Sequence, residues 1–200
     1  AGIVMQHPGL YVMADEIYKD ILYTGDHYSI SSIPGMQERT IILDGFSKSY
    51  AMTGWRMGYG ILPEELVPHI VKLAVNSVSC AAPFTQKAAV AALEGPRDEV
   101  EAMVAEFGIR RRLIAAGLRS IPGVNCPEPE GAFYAFPSIK ETGLTSIEFE
   151  TKAMNEAGVA LLSGSAFGEY GEGYVRLSYA NSQENIQKAI SQLDKMVRSL

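Results

Sequence analysis

The sequence predicts an α/β protein, and three observations carry that prediction. Two short apolar, β-prone runs, residues 10–14 and 40–43, lead directly into Asp15-Glu16 and Asp44-Gly45, as buried strands do when they deliver polar groups at their C-terminal ends. A long helical pattern over residues 96–118 follows. Beyond Ile121-Pro122-Gly123 the chain changes to shorter, mixed elements.

The elements follow in order from local chemistry. A third strand is expected over residues 57–62, where Gly58 and Gly60 allow another backbone or a ligand to approach closely. Pro63-Glu64-Glu65 starts a helix with proline first and acids in the opening turn, and Leu66, Ile70 and Leu73 form its apolar stripe. Residues 84–93 read as an alanine-rich helix closed by Gly95. Pro96-Arg97-Asp98 opens the long helix, whose length suits a connection between two domains. Then come a strand at 132–136, a helix at 146–157, strands at 159–162 and 174–177, and a last helix from Ser182. That order is an α+β layer arrangement, without internal repeats or a flexible linker, so the two parts are expected to pack as one body.

With 200 residues, 47% hydrophobic and 20% charged, the chain can bury a sizeable core. A net charge of −6 provides no basic field to gather a nucleic-acid backbone. Cys80 and Cys126 stand far apart with no CxxC and no histidine at ligand spacing, so two reduced, buried thiols are expected and no metal site. The opening residues lack a basic leader, and the least charged stretch, 73–86, is interrupted by Asn76, Ser77, Ser79 and Pro83. A cytoplasmic protein without a membrane span is the expectation. The chain starts at Ala1 in place of an initiating Met, and reads as a piece of a longer protein.

The most informative segment is Gly45-Phe46-Ser47-Lys48-Ser49-Tyr50-Ala51-Met52-Thr53-Gly54-Trp55-Arg56-Met57-Gly58. A Schiff-base lysine must be reachable, small neighbours leave room for a flat ring over it, and a nearby Arg and Ser can hold a phosphate ester. An isolated lysine would be a solvated surface residue. Placed just after an apolar strand, with Gly54 and Gly58 around Arg56, Lys48 favours the chemical reading.

This segment resembles the pyridoxal-phosphate (PLP) attachment signature of class I and II aminotransferases, and the whole chain resembles the C-terminal half of such an enzyme, of the prokaryotic subgroup similar to aspartate aminotransferase. The resemblance implies that Lys48 carries the cofactor and that Ser47 and Arg56 hold its phosphate. In Ala14-Asp15-Glu16-Ile17-Tyr18, Asp15 matches the partner of the pyridine nitrogen and Tyr18 the partner of the phenolic oxygen. A buried carboxylate there keeps the ring nitrogen protonated, which the cofactor needs to act as an electron sink. In Gly173-Tyr174-Val175-Arg176-Leu177-Ser178, Arg176 matches the arginine that binds the substrate carboxylate.

Residues 129–134 and 163–168 also resemble segments of this subgroup, although Ser163 stands where proline is common before the glycine. Phe133 is expected to be an ordinary core aromatic, and Glu16, His7, His27 and His69 to be structural. The resemblance further implies a large PLP-binding domain over residues 1–110, a small C-terminal domain over 111–200, a homodimer, and amino-acid and 2-oxo-acid substrates. It places a glycine-rich phosphate loop, and an asparagine for the ring oxygen, in a preceding half. The chain by itself should therefore bind PLP weakly and turn over poorly. Two other readings share the fold: a PLP-dependent C–S lyase, and the aminotransferase-like domain of a transcription regulator.

Overall fold

The computed structural model describes residues 1–200. It divides into two compact units, Ala1–Glu101 and Ala102–Leu200.

In the first unit a short helix, α1 (Gly2–Met5), precedes three strands, β1 (Val12–Asp15), β2 (Thr40–Gly45) and β3 (Gly58–Ile61), followed by α2 (Val67–Ser77) and α3 (Pro83–Glu94). β1 and β2 run parallel with Asp15 opposite Leu43, whereas β3 is antiparallel to β2 with Gly58 opposite Gly45. The two glycines are needed there, because a Cβ on Gly45 would stand 2.9 Å from the Gly58 Cα. Phe46, Met52 and Ala89 form a buried cluster to which Tyr50, Met57 and Ala92 add partly buried surface. Burying a phenylalanine stabilises by about 1.5–3 kcal/mol, so Phe46 pins the chain at the point where β2 gives way to Ser47-Lys48.

The second unit contains most of α4 (Asp98–Arg119), then β4 (Tyr134–Ala135), α5 (Ser146–Asn155), β5 (Leu162–Ser163), β6 (Val175–Ser178) and α6 (Gln183–Val197). Its sheet is antiparallel in the order β4-β6-β5. Leu118, Ile139, Phe149, Val175, Tyr179 and Leu193 are its large, fully buried side chains. Thr145 and Glu148 form a reciprocal capping box at the start of α5, and Ser182 caps α6 through the Asn185 N–H. Ahead of β6 the chain folds back on itself so tightly that a Cβ on Gly171 would lie 1.9 Å from the Gly164 carbonyl oxygen.

Several elements depart from the sequence expectations. Pro63 to Leu66 form a 3₁₀ turn instead of the first α-turn. Pro68 follows at the start of α2; it has no N–H to offer the Glu64 carbonyl, which is taken three residues on by Val67. None of α2 is buried, so Ile70 and Leu73 line an open surface and Leu66 is half-buried. Nothing in the first unit supplies the opposing layer that an amphipathic helix needs. The expected strand at 159–162 pairs only at Leu162–Ser163, and that at 132–136 only at Tyr134–Ala135, where Ala132 has turned into a positive φ of 56°. Both cysteines are free, as expected, but Cys80 is exposed and only Cys126 is buried. No helix is long and apolar enough to cross a membrane.

Candidate active site

β1 and β2 run parallel, and the C-terminal ends of such strands are where open α/β sheets hold their ligands. Asp15 closes β1 and is exposed, where a buried carboxylate is expected. Its Oδ1 accepts the Ile17 N–H at 3.3 Å, a local turn that leads to Tyr18. Glu16 faces inward instead: its N–H donates to the Leu43 carbonyl at 2.8 Å, and its buried carboxylate pairs with His27 at 3.0 Å. Glu16 and His27 thus secure each other.

From the end of β2 the chain makes a compact turn. The N–H groups of Tyr50 and Met52 both donate to the Phe46 carbonyl, at 3.3 and 3.2 Å, and Ala51 N–H donates to the Lys48 carbonyl at 3.2 Å. Ser47 and Lys48 are half-buried at the head of this turn, and Ser49 is buried behind them. Lys48 Nζ lies 5.9 Å from the centroid of the Tyr18 ring, so the two side chains open onto one space. Ala51 and Arg56 both hold a left-handed backbone, with φ of 52° and 53°. Residues other than glycine adopt that conformation at a cost of about 1–3 kcal/mol, and they do so preferentially at functional sites.

Arg56 is exposed and donates to the Thr53 carbonyl at 2.8 Å, which orients the guanidinium. It lines a cavity of about 1020 Å3, together with Trp55, Gly58, Cys80 and Phe84. A side chain tethered on one edge at the mouth of such a space keeps N–H groups free to meet an anion.

Beneath the Lys48 turn lies a group that the sequence did not single out as a site residue. Asp44 is buried, with Oδ1 accepting the Gly45 N–H at 2.7 Å and Oδ2 accepting the Tyr59 hydroxyl at 2.6 Å; Lys19 Nζ is bonded to Oδ2 as well. Burial alone would raise its pKa, yet the bonds from Lys19, Tyr59 and Gly45 outweigh it and hold the carboxyl below its ordinary value. On the Tyr59 phenol, burial and the carboxylate act together and push the pKa up. The only trace in the sequence is an aspartate at a strand end; its partners, 25 and 15 residues away, could not be read there.

In the second unit Arg176 sits half-buried on β6, between the buried Val175 and Leu177, on the opposite face of the strand. Its guanidinium carbon lies 4.5 Å from the Tyr134 ring centroid and 4.6 Å from that of Phe167. Two cation–π contacts restrict the plane of the fork while leaving in-plane N–H groups for a carboxylate. Tyr134 and Phe167 were not legible as its companions, because they come from segments 42 and 9 residues earlier in the chain. Phe133, as expected, is a packing aromatic, stacked 5.3 Å from Phe107.

A lysine on a turn after one parallel strand, facing a tyrosine that follows the acid at the end of its neighbour, is the arrangement of a PLP-dependent transferase. The sequence matches the family described as aminotransferase class I and II over residues 1–193, and the chain belongs to that family. It is 44% identical to the aspartate aminotransferase of Pyrococcus abyssi, over 99% of this chain and 51% of that protein. With the aromatic-amino-acid aminotransferase 2 of Thermococcus litoralis it shares 42% identity, again over 99% and 51%. Its fold superposes with a TM-score of 0.95 on the crystal structure of the aromatic aminotransferase from Pyrococcus horikoshii, at 42% identity, covering 99% of this chain and 53% of that one. The chain thus spans about half the length of the relatives it matches.

The family is PLP-dependent, and the residues present suit that cofactor. The space shared by Lys48 and Tyr18 offers an amine and a hydroxyl, with Asp15 at the end of the adjoining strand. The close approach of Gly45 and Gly58 leaves no room for a side chain on Gly45, and Arg56 and Ser47 bring a cation and a hydroxyl suited to a phosphate.

Proposed function

We propose that this chain supplies the lysine-bearing half of an aminotransferase that moves an amino group between an amino acid, aspartate-like or of broad specificity, and a 2-oxo acid. The observation that supports this most is the approach of Lys48 Nζ to the Tyr18 ring, at 5.9 Å from its centroid. When bound, PLP supplies a protonated pyridine ring able to take up the electron pair left at the substrate α-carbon. The chain's residues do the rest. Lys48 would hold the cofactor and, once the substrate's amino group has displaced its amine, would act with that freed amine as the general base that takes the proton from the α-carbon. Asp15 keeps the proton on the ring nitrogen, and Tyr18 donates its hydroxyl hydrogen to the ring oxygen. Ser47 and Arg56 bind the phosphate. Arg176 pairs with the α-carboxylate that every amino-acid substrate shares.

In this reading the large PLP-binding domain takes in the first unit and the chain to about residue 110, and the remainder of the second unit is the small domain. The protein is a homodimer of the cytoplasm. Exposed apolar side chains such as Leu73 and Val78 support association, and two free cysteines suit a reducing compartment.

Amino-group transfer from aspartate, alanine or an aromatic amino acid to 2-oxoglutarate, assayed in the longer protein carrying this chain, is the test. Transfer that disappears in Lys48→Ala with the fold intact is expected. Elimination from a cysteine conjugate without transfer would point to the lyase reading, and neither activity to the regulatory domain.

A further inference from the structure

We propose that Asp44 is a positioning residue for the Lys48 site, one buried carboxylate that ties together the three chain segments bearing Tyr18, Lys48 and Arg56. The inference rests on the reading of Lys48 as the cofactor lysine, and goes beyond it to what holds that lysine in place. Lys19, the residue after Tyr18, bonds to Oδ2 and so secures the first segment. The Gly45 N–H on Oδ1, at 2.7 Å, fixes the exit of β2 three residues before Lys48. Tyr59, three residues after Arg56, donates its hydroxyl to Oδ2 at 2.6 Å and secures the third.

Asp44 has no direct part in chemistry, because it is buried at the foot of the turn beside Phe46, with its oxygens already taken by these donors. Phe46 seals the arrangement: its ring lies 5.5 Å from Tyr50 and 5.9 Å from Tyr59. A charged acceptor serving three donors in a buried place is worth more than three separate neutral bonds, and removing its charge loosens all three segments together.

The experiment uses the longer protein that carries this chain. It is incubated with PLP, trapped with borohydride, and the labelled lysines are quantified by peptide mapping, at a temperature well below the melting transition of each variant. In the wild type, label should concentrate on Lys48 over the exposed Lys72 and Lys87. Asp44→Asn, nearly identical in shape, should lower that preference about tenfold, the ratio corresponding to one hydrogen bond to a charged group. Amide exchange in segments 16–21 and 45–58 should rise with it, while α6 in the second unit stays as protected as before. Tyr59→Phe removes one donor only and should lose less, which preserves the comparison if Asp44→Asn fails to fold. A wild type that labels its lysines indiscriminately would remove the reading of Lys48 as the cofactor lysine. A wild type selective for Lys48, with both variants equally selective, would leave that reading standing and overturn the role given to Asp44.

Discussion

Arg56 and Arg176 look alike in sequence, but their surroundings differ in a way that suits the separate roles proposed for them. Arg56 is exposed at the mouth of a cavity and tethered to Thr53, whereas Arg176 lies over two aromatic rings on a strand. In the longer protein, Arg176→Lys should weaken amino-acid and 2-oxo-acid binding by about 1–3 kcal/mol, because a planar fork becomes a point contact. Cofactor affinity should hardly move. Arg56→Ala should do the opposite, and equilibrium titrations with cofactor and with 2-oxo acid separate the two. Asp44 makes a pH prediction. Its folded pKa lies below the ordinary value, so its stabilisation is fully present above the unfolded pKa of about 3.9 and is lost as pH falls through the lower, folded pKa. Melting temperature should therefore fall on acidification below about pH 4, and less steeply in Asp44→Asn, as calorimetry across that range would record. Asp15, Tyr18, Ser47, Lys48, Arg56 and Arg176 can be proposed from the sequence because each lies in a contiguous motif. Asp44, Tyr134 and Phe167 cannot, because their roles depend on partners that only the folded chain brings near.

At the level of elements, two devices in the second unit invite measurement. The capping box of α5 satisfies the Glu148 N–H with the Thr145 hydroxyl and the Thr145 N–H with the Glu148 carboxylate, so Thr145→Ala should cost about 1 kcal/mol in chemical denaturation. The close pass of Gly171 over Gly164 is far less forgiving. A methyl group 1.9 Å from a carbonyl oxygen cannot be absorbed by a side-chain rotation, and Gly171→Ala should destabilise by about 3 kcal/mol or more, at the upper end of overpacking. Loss of the unfolding transition at ambient temperature would be the expected result. Most helices are readable from caps and glycine stops: Gly95 and Ser182 mark real boundaries. The start of α2 departs from its expected place because a second proline, Pro68, interrupts the first turn, and β4 is shorter than expected because Ala132 takes a left-handed backbone that no propensity announces. The burial of a helix stripe is likewise a property of what lies opposite it.

On the scale of the molecule, the first unit exposes much apolar surface for its size: Met13, Ile61, Val71, Leu73, Val75 and Val78 are all open to solvent. Both outer strands of its sheet, β1 and β3, have one unpaired edge. Surfaces of this kind associate, so the chain should self-associate with rising concentration, and sedimentation equilibrium should show a mean mass above 21.7 kDa at micromolar levels. The two cysteines divide between the units, one in each, and only the first is accessible. Burial pushes the Cys126 thiol up to about 11, which leaves it almost without thiolate at neutral pH. A maleimide dye should then attach to Cys80 alone, as mass spectrometry can verify. Since Cys80 borders the same cavity as Arg56, the unaltered protein comes with its own single attachment point for a reporter, and the arrival of a phosphate-bearing ring could be followed optically without engineering a residue.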